Sequence, residues 1–250
     1  GKFAQLQMLL GISELSQQFG ESSRDSTIPG GDRSFSYNTM SAFTQLELAL
    51  SPAITGLGSL RLDQHNQFGT VVSPRLSLMV RPSADITVRA SAGTGWHAPT
   101  IFDEQAEERG FRGVPPLSGN EHEHGESYSL DMRYKSIIEE LIVSADANIF
   151  ATMIHDRIGL MPAVSAPGPT TVYRWERIGT QTAKGLEVIL GSHFAGFGLN
   201  AGYTYAFVEE ETNGILSEKL FTPAHFVSAE ILWELPQTIR IGTAMRFESP

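Results

Sequence analysis

The chain has 250 residues, a formal net charge of −10, 41% hydrophobic and 18% charged residues, and no cysteine. Ordinary apolar content excludes disorder, which needs low hydrophobicity with high charge, and the acidic balance argues against nucleic acid as a partner. Disulfides, thiolate metal sites and cysteine nucleophiles are excluded, and apolar runs of a few residues leave no transmembrane helix.

Along the chain, apolar residues recur with period two rather than 3.6, which predicts strands. The chain opens at Gly1 directly on such a pattern, as expected of a processed or excised piece. Strand 3–19 sets Ala4, Leu6, Met8, Leu10 and Ile12 against Gln5, Gln7 and Gly11. After a long connection come 41–50 and 57–65, joined by a short link, then 71–81 and 86–95 across the short 82–85. The long stretch 96–125 leads to 126–135, where Tyr128, Leu130, Met132 and Tyr134 oppose Ser129, Asp131, Arg133 and Lys135. Next come 141–155, the long 156–181, then 182–191 and 197–208, the long 209–224, and finally 225–235 and 238–247.

Many of these eleven strands have nine to twelve residues or more, against a mean of about five or six in soluble proteins. Tilted strands crossing a bilayer need about nine to eleven. A soluble sandwich also alternates, but it has no reason to keep its long loops at one end. Short and long connections alternate here, broken only at 66–70, as expected of outer-membrane barrels with short periplasmic turns and long extracellular loops. The inferred outward sets carry no Asp, Glu, Lys or Arg, and Tyr128, Tyr134, Trp233 and Phe247 could form interfacial girdles. The expected fold is all-β: an antiparallel transmembrane β-barrel portion of about eleven long strands, with 1–250 as one partial domain.

Several stretches resemble the C-terminal part of a TonB-dependent outer-membrane receptor. They are FGTVVSPRL (68–76), ITVRASAGTGWHAPTIF (86–102), NEHEHGESYSLDMRY (120–134), GTQTAKGLE (179–187) and the Pro223–His225 region. Their order and spacing together carry the likeness. His97 stands where the family's box usually has Arg, and His122 and His124 fall in its Pro-containing loop. Nothing resembles the family's plug or TonB box, and eleven strands are about half of its 22-stranded barrel. The resemblance therefore implies a fragment of a receptor in the bacterial outer membrane. Such a receptor binds a scarce ligand at its mouth and imports it with energy from the TonB–ExbB–ExbD complex acting through the plug. A ferric siderophore, haem or another metal chelate is the expected cargo, and no cofactor of its own is implied. Its other partners would be the transported small molecule and outer-membrane lipid. Alternatives are a passive porin or adhesin barrel and, less favoured, a soluble extracellular β-sandwich binding module. No nucleophile elbow, phosphate loop or dinucleotide fingerprint suggests an enzyme.

Six of the seven histidines, His65, His97, His122, His124, His155 and His225, fall near the expected extracellular mouth, and His193 at the other end. Imidazole ligates both metals and haem iron, although loop histidines are also simply polar. The expected ligand-binding set is Trp96, His97, His122, His124, His155, His225 and Arg89. His122 and His124, alternate residues of an extended segment, are the candidate metal pair. The acidic run Asp103, Glu104, Glu107, Glu108, Glu121 and Glu123, with Arg109 and Arg112, suits hard cations or plain solvation. So does Glu209 to Glu211. Arg61, Arg75, Arg89, Arg133, Arg240 and Arg246 are expected on the inner face, with Arg89 nearer the mouth.

Overall fold

The structure, a computed structural model, describes residues 4–21, 33–100, 122–162, 173–212, 214–219, 222–235 and 239–249. Among these residues it is all strand. In chain order the strands are β1 (Gln5–Glu21), β2 (Arg33–Ser51), β3 (Ile54–His65), β4 (Gly69–Val80), β5 (Ile86–His97) and β6 (Glu123–Ile138). They continue with β7 (Leu141–Pro162), β8 (Tyr173–Phe194), β9 (Phe197–Thr212), β10 (Ile215–Glu218), β11 (His225–Leu235) and β12 (Ile239–Glu248). Neighbours in sequence pair antiparallel in one open sheet from β1 to β12, with β10 folded back on β9. One sheet with two open faces is not a sandwich, so the soluble-module alternative fails.

Register explains why these residues make such a sheet. Pairing sets Leu6 against Leu48, Leu48 against Gly56 and Gly56 against Leu78. Farther on, Leu130 faces Ile149, Ile149 faces Leu186, and Leu186 faces Tyr205. Strand by strand the apolar set falls on the same side, because side chains alternate along a strand and align across a ladder. Many of these side chains are bare: Ile12 is 88% exposed and Leu76 68%. A soluble domain would bury them at roughly 1.5–3 kcal/mol each. The other face carries Arg61, Arg89, Asp131, Arg133, Asp146 and Glu187.

At one end the connections are tight. Ala195 and Gly196 link β8 to β9 with φ of 48° and 81°, the left-handed pair that a two-residue hairpin with the right twist requires. Gly196 has a second constraint, because a Cβ there would lie 2.4 Å from the Glu234 carbonyl oxygen.

The expectation of about eleven long strands holds: among the described residues eleven form the main path, and a short twelfth, Ile215–Glu218, folds back on Glu209–Thr212. Two other expectations need correction. The connection 156–181 contains strand at both ends: β7 and β8 each run 22 residues, well past the expected limits of 155 and 182. Nor is the apolar set free of charge, because Lys184 stands in it between Ala151 and Phe207. Its ammonium lies 3.2 Å from the Glu209 carboxylate and 5.1 Å from the centre of the Phe207 ring.

Candidate functional site

The buried side chains of the described residues gather at the end opposite the tight turns, and one group sits where the sheet parts. β4 and β5 share only six rungs, Arg75–Val80 with Val88–Gly93. Beyond Gly93, β5 continues on β6 alone. Side chains close this gap. The Trp96 indole N–H donates to Asp63 Oδ2 at 2.8 Å, and Arg61 holds Asp63 Oδ1 at 2.8 Å and Ser41 at 2.8 Å. Tyr37 donates to the Pro99 carbonyl at 2.9 Å. Edge-on ring contacts join Tyr37 to His65 and Phe68, His65 to Trp96, and Trp96 to His122 at 5.8 Å.

His65 belongs to this packing. It is 2% exposed, and its Nδ1 accepts backbone N–H bonds from Gln67 at 3.0 Å and Phe68 at 3.2 Å. Burial holds its pKa below the ordinary 6.5, which keeps the ring neutral and accepting. Trp96, expected to touch ligand, likewise has its N–H committed to Asp63.

His97 and Glu123 are direct partners across β5 and β6. Their side chains meet at 3.0 Å, and Glu123 Oε1 accepts the Ile158 N–H at 2.9 Å, tying in β7. The hydrogen bond and charge of Glu123 raise the His97 pKa against a smaller opposing effect of burial. For Glu123, burial acts upward, but the bonds from His97 and Ile158 and the charges of His97 and Arg157 outweigh it, so its pKa falls.

The structure places the expected pair His122 and His124 in different company. His122 lies against Trp96 and Phe68. His124 is set directly opposite His155 on β7, their rings 6.3 Å apart and stacked. His225 shares the apolar set with Tyr205 and Val227, and its Nδ1 meets the Tyr203 hydroxyl at 2.8 Å. Among the described residues no group of three or more His, Asp or Glu side chains could hold a metal ion. Of the acidic run, only Glu123 lies within the described residues.

Arg89 requires correction. It is three residues from the start of β5 at the tight-turn end, not near the mouth, and its Nη2 lies 3.7 Å from the Met79 sulfur. With Arg81, Asp131, Arg133, Asp146 and Glu187 it lines a hollow of about 440 Å³ in the polar face, where Arg133 pairs with Asp146. The sequence reading missed Asp63, Tyr37 and Asp146. Asp131 was visible on the same alternate set as Arg133. Asp146 becomes its partner only through the β6–β7 register.

Comparison with known proteins fits this architecture. A family model described as the TonB dependent receptor-like β-barrel matches residues 9–237. Among solved structures, the siderophore receptor PirA from Acinetobacter baumannii matches with a TM-score of 0.71 at 16% identity, covering 95% of this chain and 39% of its own. The ferric enterobactin receptor PfeA from Pseudomonas aeruginosa, in complex with BCV-L6, gives 0.72 at 18%, covering 97% and 39%. The FrpB iron transporter from Neisseria meningitidis gives 0.72 at 14%, covering 96% and 40%. The chain thus spans about two fifths of the length of these proteins. Comparison with curated proteins gives no match.

Proposed function

Since the chain belongs to the TonB-dependent receptor β-barrel family, whose members are transporters rather than enzymes, we propose that it serves TonB-coupled uptake of a ferric siderophore, haem or another metal chelate. The observation that carries this reading is the predominantly apolar face that runs across the sheet from β1 to β12, opposite a charged one. Apolar side chains left bare on one side of a sheet with long strands suit hydrocarbon there and a watery lumen on the other. The tight turns then face the periplasm, and the end with Trp96, His97, His122, His124 and His155 faces outward. This wall would supply about half of the receptor's barrel. The charged hollow around Arg89 and Arg133 lines its lumen near the periplasmic side, where the family's plug would meet it. Arg133 and Asp146 neutralise each other before any such partner arrives, so the hollow offers a balanced surface rather than a basic anion trap.

Coupling to TonB, through its ExbB and ExbD companions, would act on that plug, in keeping with a sequence that carries no phosphate loop or dinucleotide fingerprint. The family's solved neighbours include a siderophore receptor and a ferric enterobactin receptor by description, which favours an iron chelate as cargo. The test is uptake of radiolabelled ferric chelates and haem by cells expressing the full-length receptor, with TonB present or deleted. Uptake of one cargo is expected to vanish without TonB. Uptake that persists unchanged would leave a passive porin, and absence of uptake for every iron cargo would reject the cargo class.

A further inference from the structure

The histidines of the outer rim differ in what their ring nitrogens already do. His65 accepts two backbone N–H bonds, His97 is held by Glu123, and His225 meets the Tyr203 hydroxyl. Among the described residues, His124 and His155 have no hydrogen-bond partner on either ring; their recorded contact is with each other. They occupy directly opposed positions of an antiparallel pair, which brings Cβ atoms to about 4.5–5.5 Å. We propose that His124 and His155 form a two-imidazole site for a late first-row divalent ion of the copper, zinc or nickel type.

Geometry supports this assignment. With a metal–nitrogen bond of about 2.0–2.1 Å and a ring radius near 1.1 Å, two imidazoles on one ion hold their centres about 5 Å apart at a tetrahedral angle and about 6.4 Å apart when trans to each other. The observed 6.3 Å is at the trans limit, and the rings, which are stacked, must rotate to turn their nitrogens toward a shared ion. The pair also borders an open pocket of about 590 Å³. Gly179 and Gly214 bring no side chains into it, which leaves space for water or other donors on the remaining coordination positions. Asp156, which follows His155 and borders the pocket, is committed to Arg177 at 2.9 Å, and Glu123, which precedes His124, is held by His97 and the Ile158 N–H. The site therefore offers imidazole nitrogen donors beside a compensated carboxylate. That chemistry favours borderline cations over calcium or magnesium, which need several oxygen ligands. A bulge helps to isolate it: the β7–β8 register shifts after Ile154, and Asp156 adopts a left-handed φ of 55°.

The test is titration of the full-length protein in detergent with Cu²⁺, read by electron paramagnetic resonance and calorimetry. One ion per chain with coupling to two imidazole nitrogens is expected, displaced by Zn²⁺ but not by Ca²⁺. His124→Gln and His155→Gln should each leave one coupled nitrogen and weaken binding at least about tenfold, while His193→Gln changes neither. His155→Asn repeats the measurement should a Gln variant lose its strand circular dichroism. Unaltered affinity in both ring variants, or a copper signal without nitrogen coupling, would overturn the assignment.

Discussion

Lys184 shows how a single residue reads the depth of the membrane. Ten residues separate it from Phe194 at the tight turn, about 33 Å along the strand at 3.3 Å per residue. With a tilt near 40° this rises about 25 Å, the height of the apolar band of such barrels. In the proposed bilayer Lys184 would stand at the outer boundary of the lipid, where a long stem can lie along apolar surface and lift its charge out. The Phe207 ring and the Glu209 carboxylate receive that charge. The same charge deeper in the band has neither. In the full-length receptor, Leu190→Arg, about 10 Å of rise from Phe194 by the same reckoning and so near mid-band, is expected to lower stability by about 2–4 kcal/mol, whereas Lys184→Leu changes it by under about 1 kcal/mol. Denaturant titration from lipid vesicles measures both, and equal costs would mean that Lys184 is not at the boundary.

For the strands, the sequence was informative only where lipid is the solvent on one side. Ala145, Ala147 and Ile149 alternate with Ser144, Asp146 and Asn148, and their strand was plain. Beyond His155 the same strand continues to Pro162, but Asp156 and Arg157 interrupt the pattern and Leu160 is buried against Tyr173 and Trp175 rather than left bare. Hence the stretches read as loops at 156–181 and 209–224 proved to contain strand. Periodicity reports which face is greasy, whereas the ladder persists through backbone bonds that any residue can make. The rim site was legible in its residue types and approximate height. Which histidine meets which was not, because His124 finds His155 through a register set by the turn at Glu139 and Glu140, fifteen residues away.

The link of β5, β6 and β7 through His97 and Glu123 has a pH signature. His97 titrates above its ordinary 6.5, so its contribution is complete below about that value and lost as pH rises through the raised pKa. Glu123 titrates below its ordinary 4.5, so its contribution is complete above that value and lost as pH falls through the lowered pKa. Both are present between roughly 4.5 and 6.5. A proton-resonance titration of His97 should show its midpoint fall toward 6.5 in Glu123→Gln. A midpoint indifferent to that change would separate the two side chains.

As a whole, the molecule is a wall with a greasy side, and its three tryptophans sample different parts of it. Trp233 lies in the apolar set between Phe197 and Ile241, Trp96 in the packed rim, and Trp175 against Leu160. In single-tryptophan versions of the full-length receptor, brominated lipids are expected to quench Trp233 strongly and Trp96 weakly. Equal quenching would refute the proposed placement of the bilayer. The six rungs between β4 and β5, against nineteen between β7 and β8, bear on how such a wall fails under load. A pull along the barrel axis would be resisted unevenly, and the first tear would open beside Arg75 and Gly93. There the indole of Trp96 and the phenol of Tyr37 act as rivets, carrying by side chain a tension that elsewhere the backbone carries alone.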